Sequence, residues 1–313
     1  MTLTQLRAFL TAALLGSFTA AAEELGTTQP TISELVRKLE VEYGLTLFVR
    51  GGRRLHLTAA GEELLPWAQR TIAGADGGVA ALHALHGLTG GSVSVGVLRN
   101  APYYFLPDLI ARFRREHPGV RLRLVGQNSA EVAAGVRDGV LEAGIVVLPI
   151  DDEGLEVTPL HRDEVLWVSR DPGRVAEPVT IEHVAECPLI VYDAHYGWND
   201  PTRRQLAERA QAKGLRLEPV VEVETVGPAI ELVRRGIGET LVSGTIAARE
   251  DFPPELHTGS FDPPLFDTIA AIKRVNSVLA PATAELIRVA TEMVTGSAPA
   301  EPRPPNEEST MLQ

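Results

Sequence analysis

The sequence predicts an α + α/β chain: a helical head, one long helix, and a body of two α/β lobes. Three observations carry this expectation. Apolar residues recur at helical spacing through the first 43 positions and end in two short apolar segments around Gly51 and Gly52. A spacing of three and four then runs on from Leu65 to His86 without a strand pattern. From Ser92 onward, short β-branched runs alternate with helical stretches, the order that builds parallel sheets covered by helices. A chain of 313 residues suits two or three domains, each able to bury a core. The expected divisions are a head at 1–58, a linker at 59–91, a body at 92–295 and a disordered Pro-, Glu- and Ser-rich tail at 296–313.

In the head, Leu3, Leu6, Phe9, Leu10 and Ala13 form one amphipathic stripe, which Gly16 ends. Ser17 suits the N-cap of a second helix with Phe18, Ala21, Ala22 and Leu25 on one face, where the alanines let a neighbouring helix approach. After Gly26 and a threonine turn, Pro30 fits the first turn of a third helix, where its missing N–H costs nothing. Ile32, Leu35, Val36, Leu39 and Tyr43 read as its buried stripe. Gln29, Thr31, Ser33, Glu34, Arg37 and Lys38 lie opposite, with amide, hydroxyl and basic groups suited to base edges and phosphates in a major groove. The plain alternative is an ordinary solvated face. The next segment favours the first reading: residues 47–49 and 55–57 flank Arg50, Gly51, Gly52, Arg53 and Arg54, a hairpin with arginines at its tip. A basic loop beside such a helix grips the adjacent backbone.

Charge restricts how this works. The chain carries 29 basic and 41 acidic residues, a net charge of −12. Attraction to phosphates must therefore come from a local patch, because it acts over about 10 Å at ordinary salt. Arg37, Lys38, Arg50, Arg53 and Arg54 supply one, against Glu40 and Glu42.

The runs QLRAFL, GSFTAAAEEL and TQPTISELVRKLEVEYGLTLFVRGGRRLHLTAAGEELL resemble the N-terminal segment of LysR-type transcriptional regulators, over about residues 2–65 without an insertion. The resemblance implies a winged helix-turn-helix that reads double-stranded DNA. It places Gln29, Pro30, Thr31, Ser33, Arg37 and Lys38 on the DNA-facing side of the recognition helix, and Arg50, Arg53 and Arg54 in the wing. Glu34 departs from the basic or neutral residue often found there. It is expected either to accept from a cytosine amino group or to repel phosphate and narrow the choice of operator.

Thr58 suits the cap of the long helix. Leu65, Ala68, Ile72, Ala75, Val79, Leu82 and His86 form a coiled-coil seam, although the same spacing fits a helix packed on its own domain. Gly74, Gly77 and Gly78 weaken it by about 1 kcal/mol each relative to alanine, and Pro66 favours a kink. His83 and His86 lack a third ligand, so no metal site is expected. The resemblance implies a linker-helix dimer, a homotetramer, and an effector-driven change in DNA bending and in access by RNA polymerase.

In the body, strands are expected at 92–97, 120–125 and 143–148, with helices at 102–117 and 129–139. The pattern repeats with strands at 189–193, 219–225 and 240–244 and helices at 199–213 and 226–235. Two strands, 164–169 and 266–273, read as crossings between the lobes, and a helix at 281–294 as a return to the first. The expected lobes are 92–163 plus 268–295, and 164–267. The runs LPDLIARFRREHPGVRLRL, EVAAGVRDGVLEAGIVV and ETVGPAIELVRRGIGETLVS resemble the effector-binding region of the same family, a periplasmic-binding-protein-like arrangement.

Open α/β sheets bind ligands beyond the carboxyl ends of their strands. That rule selects Arg99, Asn100, Ala101, Gln127, Asn128, Ser129 and Pro149 in one lobe. In the other it selects Tyr192, His195, Trp198, Asn199, Thr225 and Ser243. Arg99 beside helix N-termini suggests a small anionic effector, against a plain surface role for Arg99 and a loop-packing role for His195 and Trp198. No cofactor is expected. The single cysteine, Cys187, excludes an internal disulfide, and GxSxG, GxxxxGK[ST] and HExxH are absent, so an enzyme is not expected. No signal-peptide pattern or membrane-length apolar run is present, so the expectation is a soluble cytoplasmic regulator. A solute-binding protein is the alternative that would use the lobes without a DNA reader.

Overall fold

The structure is a computed structural model that describes residues 1–49, 55–84 and 91–296. Helix α1 (Leu3–Leu15) starts in a capping box in which Thr2 and Gln5 satisfy each other's backbone N–H groups, and it ends at Gly16 with φ 63°. Ser17 caps α2 (Phe18–Glu24), and α3 (Gln29–Tyr43) begins with Pro30 in its first turn. Leu6, Phe9, Ala12, Ala21, Ala22, Ile32, Val36 and Leu39 form one buried core. The strands β1 (Phe48–Val49) and β2 (His56–Leu57) pair antiparallel, with Phe48 opposite Leu57. Phe48 fastens this hairpin to the helices through ring contacts with Phe9 at 5.5 Å and Phe18 at 5.3 Å. Tyr43, read from its spacing as core, is 56% exposed. The stripe stops a turn earlier because the buried Glu40 accepts the Leu47 N–H at 2.8 Å and turns the chain into the hairpin.

Helix α4 (Ala59–Ala84) is capped by the Thr58 hydroxyl, which accepts from the Gly61 N–H at 3.1 Å. Gly61 is required there, because a Cβ would meet the Leu47 carbonyl and the Leu57 side chain. Pro66 sits inside the continuous helix. The seam divides. Ala68 and Ile72 are buried in the head core, and Arg7 of α1 holds Asp76 at 2.5 Å, so the first half packs on its own chain. Val79 and Leu82, 53% and 67% exposed, leave the second half uncovered. His86 lies outside the described residues, as do Arg50, Arg53, Arg54 and the tail beyond Gly296.

The first lobe is built on β3 (Ser92–Leu98), flanked in parallel by β4 (Arg121–Gln127) and β5 (Ala143–Leu148). The helix expected over 102–117 is broken at Phe105, giving α5 (Ala101–Tyr104) and α6 (Leu106–Glu116), with Pro107 opening the second. Asn128 caps α7 (Ser129–Arg137) in a capping box with Glu131. The crossings are longer than their apolar runs suggested: β6 (Leu155–Ser169) and β11 (His257–Arg274) pair antiparallel through both lobes. Pro159 hid the start of β6, and the register slips there by one residue, so that Pro159 faces Ala270 and His161 faces Ile269.

The second lobe contains β7 (Val179–Thr180), α8 (Ile181–Glu186), β8 (Ile190–Val191), α9 (Pro201–Ala212), β9 (Val221–Glu222), α10 (Val226–Arg234), β10 (Thr240–Ser243) and α11 (Gly244–Ala247). Expected as a strand over 219–225, the PVVEVET run is paired only at Val221 and Glu222, against β8. Helix α12 (Pro281–Gly296) returns to the first lobe, packing Leu286, Val289 and Val294 against Val93, Val95 and Phe113. Among the described residues no helix is long and apolar enough to cross a membrane.

Candidate functional site

Two regions collect the chemistry. The first is the outer face of α3. Gln29, Pro30, Thr31, Arg37 and Lys38 are exposed there, and Ser33 and Glu34 are half-buried. Thr28 makes no side-chain cap bond, and its hydroxyl instead pairs with that of Thr31 at 2.8 Å. The first-turn N–H groups of Gln29 and Thr31 are thus left without a side-chain cap from Thr28, and a phosphate oxygen suits such groups. Glu34 grips Arg37 with two hydrogen bonds, 2.7 Å from Nε and 2.8 Å from a terminal nitrogen. That pairing holds the Glu34 carboxyl below its usual range and the guanidinium above its own. An exposed pair of this kind adds little stability. Its effect is positional, because it fixes the Arg37 fork on the reading face and offsets part of its charge.

The second region is the cleft between the lobes, a cavity of about 30 Å³, room for a water-sized group. Of the residues selected by the strand-end rule, Arg99, Asn100, Asn128, Ser129, Tyr192 and Ser243 line it. The others do not. Ala101 is buried in the core of the first lobe, Gln127 is half-buried at the end of β4, and Pro149 follows a cis peptide bond beyond β5. His195 and Asn199 are exposed, Thr225 is exposed at the start of α10, and Trp198 lies under the Arg203 guanidinium at 4.7 Å. Strand ends mark the right edge of the sheet, but loop direction decides which side chains turn inward.

The residues that the sequence did not single out are the acidic ones. Asp193, Asp200 and Asp267 line the cavity, and Asp163 faces Asp267 in the β6–β11 ladder. All four are buried, none more than 7% exposed. Asp193 has a left-handed backbone, φ 61°, which only a few residue types adopt at small cost. Burial and the neighbouring Asp193 push Asp200 up to about 6. Burial pushes Asp267 up to about 7, against the bonds it accepts from Thr202. Asp200 caps α9 ahead of Pro201 in the first turn, an Asp–Pro pattern that marks helix starts and was the available signal for this residue. Asp163 and Asp267 lie within strands, and only the tertiary crossing brings them together.

The lobes are joined by a polar latch. Arg99 of the first lobe reaches Asp193 at 2.5 Å and Glu224 at 2.5 Å in the second. Asn128 donates to Asp193 at 3.3 Å and to Asp200 at 2.9 Å. Arg99 is thus engaged by two carboxylates of its own chain, and the cavity around it is acidic. This charge balance runs against the anionic effector expected from Arg99.

A third cluster, His183, Cys187 and Glu239, has donor spacing suited to a metal. Arg174 already occupies it, 3.1 Å from the Cys187 sulfur and 3.3 Å from Glu239. Trp167 and Ser169 donate to the same carboxylate at 2.8 and 2.9 Å. Burial and the adjacent Glu239 push the Cys187 thiol up to about 12, so it is not a thiolate at neutral pH.

A winged helix-turn-helix head, joined by one long helix to a two-lobed body with a polar cleft, defines a DNA-binding regulator that responds to a ligand. Comparison with known proteins agrees. Residues 86–295 match the model of the LysR substrate binding domain, and residues 3–62 that of the bacterial regulatory helix-turn-helix protein of the lysR family. The chain belongs to the LysR family of transcriptional regulators. It is 30% identical to a probable RuBisCO transcriptional regulator of Synechocystis over 80% of this chain and 73% of that one. With a probable hydrogen peroxide-inducible genes activator of Mycobacterium avium it shares 29% identity over 77% of each. Among solved structures, a full-length OxyR variant from Pseudomonas aeruginosa covers 94% of both chains with a TM-score of 0.72 at 24% identity. CbnR complexed with its target DNA covers 92% of this chain and 98% of its own, with a TM-score of 0.62 at 21% identity. These two likenesses establish the fold.

Proposed function

We propose that this regulator binds DNA as a homotetramer in the cytoplasm, without enzymatic activity, and that the interlobe latch is its ligand-controlled switch. The observation that carries the proposal is the bridge from Arg99 and Asn128 to Asp193, Asp200 and Glu224. It is polar, it spans both lobes, and it borders the cavity, so a ligand entering there must break or replace it. In the head, Gln29, Pro30, Thr31, Ser33, Arg37 and Lys38 are the proposed DNA contacts of α3, with Glu34 acting through Arg37. Arg50, Arg53 and Arg54 are the proposed wing contacts to the phosphates. The uncovered Val79 and Leu82 of α4 supply the proposed dimer seam, which sets two heads on one face of the duplex. RNA polymerase is the proposed partner through which a change in DNA bending acts.

Thiol-based peroxide sensing is not proposed for this chain, although it is similar to a probable hydrogen peroxide-inducible genes activator. Cys187 is the single cysteine and its thiol is held protonated. The test is to select duplexes from a random pool with the full chain and compare them with a chain lacking residues 1–90. The full chain should enrich a two-half-site sequence, and the truncated chain should enrich none while still binding ligand. Enrichment by the truncated chain would refute the assignment of DNA reading to the head.

A further inference from the structure

The cleft has an excess of buried negative charge that the latch does not neutralise. Arg99 pairs with Asp193 and Glu224, and Arg203 pairs with Glu222 at 2.6 Å. Asp163, Asp200 and Asp267 have no ion pair among the described residues, although each is at least nine-tenths buried. Their other partners are neutral: Asn128 and backbone N–H groups for Asp200, Thr202 and Gln205 for Asp267, the Thr245 N–H for Asp163. One oxygen of Asp163 has no hydrogen-bond partner at all. Directly opposed residues of an antiparallel ladder share a face, so Asp163 stands beside Asp267 on the side of the sheet that lines the cavity. Buried carboxylates without a counter-charge are costly, and they favour either a proton or a cation.

We infer that the effector of this cleft carries a protonated primary amine, held among Asp163, Asp200 and Asp267. The inference rests on the interlobe cleft being the effector site and names the class of ligand. An ammonium group has the size of the cavity and donates three hydrogen bonds, which matches three acceptors lacking a cation. A bare metal ion fits less well. The clusters with donor atoms close enough for a metal are His183, Cys187, Glu239 and Glu116, His117, Glu285, and neither includes a cleft aspartate among the described residues. Arg99 and Asn100 also line the cavity, so a polar group on the same ligand would meet Asn100 or compete with Asp193 and Glu224 for Arg99. An arriving cation also displaces the protons that burial now favours on Asp200 and Asp267. Asp193, Arg99, Arg203, Tyr104 and Tyr192 are the other titratable or charged groups around them. Binding is therefore expected to strengthen as pH rises from about 6 to about 8, with proton release.

Isothermal titration of the full chain tests this with methylammonium and putrescine, against tetramethylammonium and acetate at matched ionic strength. The amines should bind at pH 8 and release protons, visible as heats that change between buffers of different ionisation enthalpy. Tetramethylammonium, which cannot donate, should not bind. Asp267→Asn and Asp163→Asn should each weaken amine binding by about tenfold or more, as expected on losing a hydrogen bond to a charged group. Both variants should melt no lower than the wild type, because each removes a buried charge. Acetate binding that Arg99→Gln abolishes, with no amine binding, would overturn the amine assignment and leave the cleft as the effector site. Binding of any probe that no cleft substitution alters would overturn both. Absence of binding by either amine would overturn the amine assignment.

Discussion

The reading head and the interlobe cleft handle charge in opposite ways. On the reading face of α3, Glu34 is half-buried and pairs with Arg37 three residues away. In the cleft the acids are buried, distant in sequence and short of cations. The head therefore presents a fixed surface whose affinity depends on salt. The cleft stores an electrostatic imbalance that a ligand, a proton or a movement of the lobes relieves. A surface built for reading needs little rearrangement, whereas a switch needs two states of similar energy.

The largest effect that sharpens this contrast is ionic strength. Raising salt from about 50 to about 200 mM is expected to weaken binding to a selected operator by orders of magnitude, as counterion release requires for several phosphate contacts. Fluorescence anisotropy measures it. Ligand binding in the cleft, shielded from bulk ions, should change far less over the same range, and equal salt dependence would erase the distinction.

The divided seam of α4 comes next. Leu82→Glu places a charge on the uncovered half and is expected to dissociate the dimer, read by sedimentation, and to reduce operator affinity by about 100-fold, a loss of paired half-sites. Ile72→Ala, in the half buried against α1, should instead cost the head about 2–4 kcal/mol of stability in chemical denaturation and leave the association state unchanged. An intact Leu82→Glu dimer would place the self-association elsewhere.

The cleft also predicts an unusual pH response. Asp200 and Asp267 sit at about 6 and about 7 in the folded chain, above their unfolded value. The native state thus binds more protons than the unfolded one, and stability falls as pH rises from about 4 through about 7. The groups facing this pair are Asp163, Asp193, Tyr104, Tyr192, Arg99 and Arg203, and none supplies Asp267 with an ion pair. Denaturation midpoints should drop between pH 5 and pH 8 by the equivalent of about 1–3 kcal/mol, and Asp267→Asn should flatten the trend. A wild type that grows more stable over this interval would contradict the charge imbalance.

The smallest effect concerns Arg37. Arg37→Ala is expected to weaken operator binding by about tenfold, a lost contact to base or phosphate. Glu34→Gln should shift sequence preference in a selection with less than about 0.5 kcal/mol change in stability, since exposed pairs contribute little.

Legibility followed the same divide. The head was readable because its signals are local: Gly16, Ser17 and Pro30 punctuate helices whose apolar positions repeat every turn. Tyr43 was misplaced because Glu40, three residues earlier, turned inward to hold Leu47, a contact that periodicity does not encode. The latch was half visible. Arg99 and Asn128 stand at strand ends where open sheets bind ligands, but their partners Asp193, Asp200 and Glu224 come from 65 to 125 positions further along. Asp267 lies in a strand that was read, but Asp163 lies in the part of β6 that Pro159 and polar neighbours disguised, so the acidic character of the cleft emerged only from the crossing of β6 and β11.

Coupling of the lobes to the head is assigned to the latch. Operator affinity and bending, measured on a selected duplex for the wild type and for Arg99→Gln combined with Asn128→Ala, test it most directly. Breaking the bridge should change affinity or bend angle without any ligand, by about 5- to 150-fold in affinity if the coupling is of ordinary size. Identical affinity and identical bending in a variant that stays folded and self-associated would show that the bridge is not the switch.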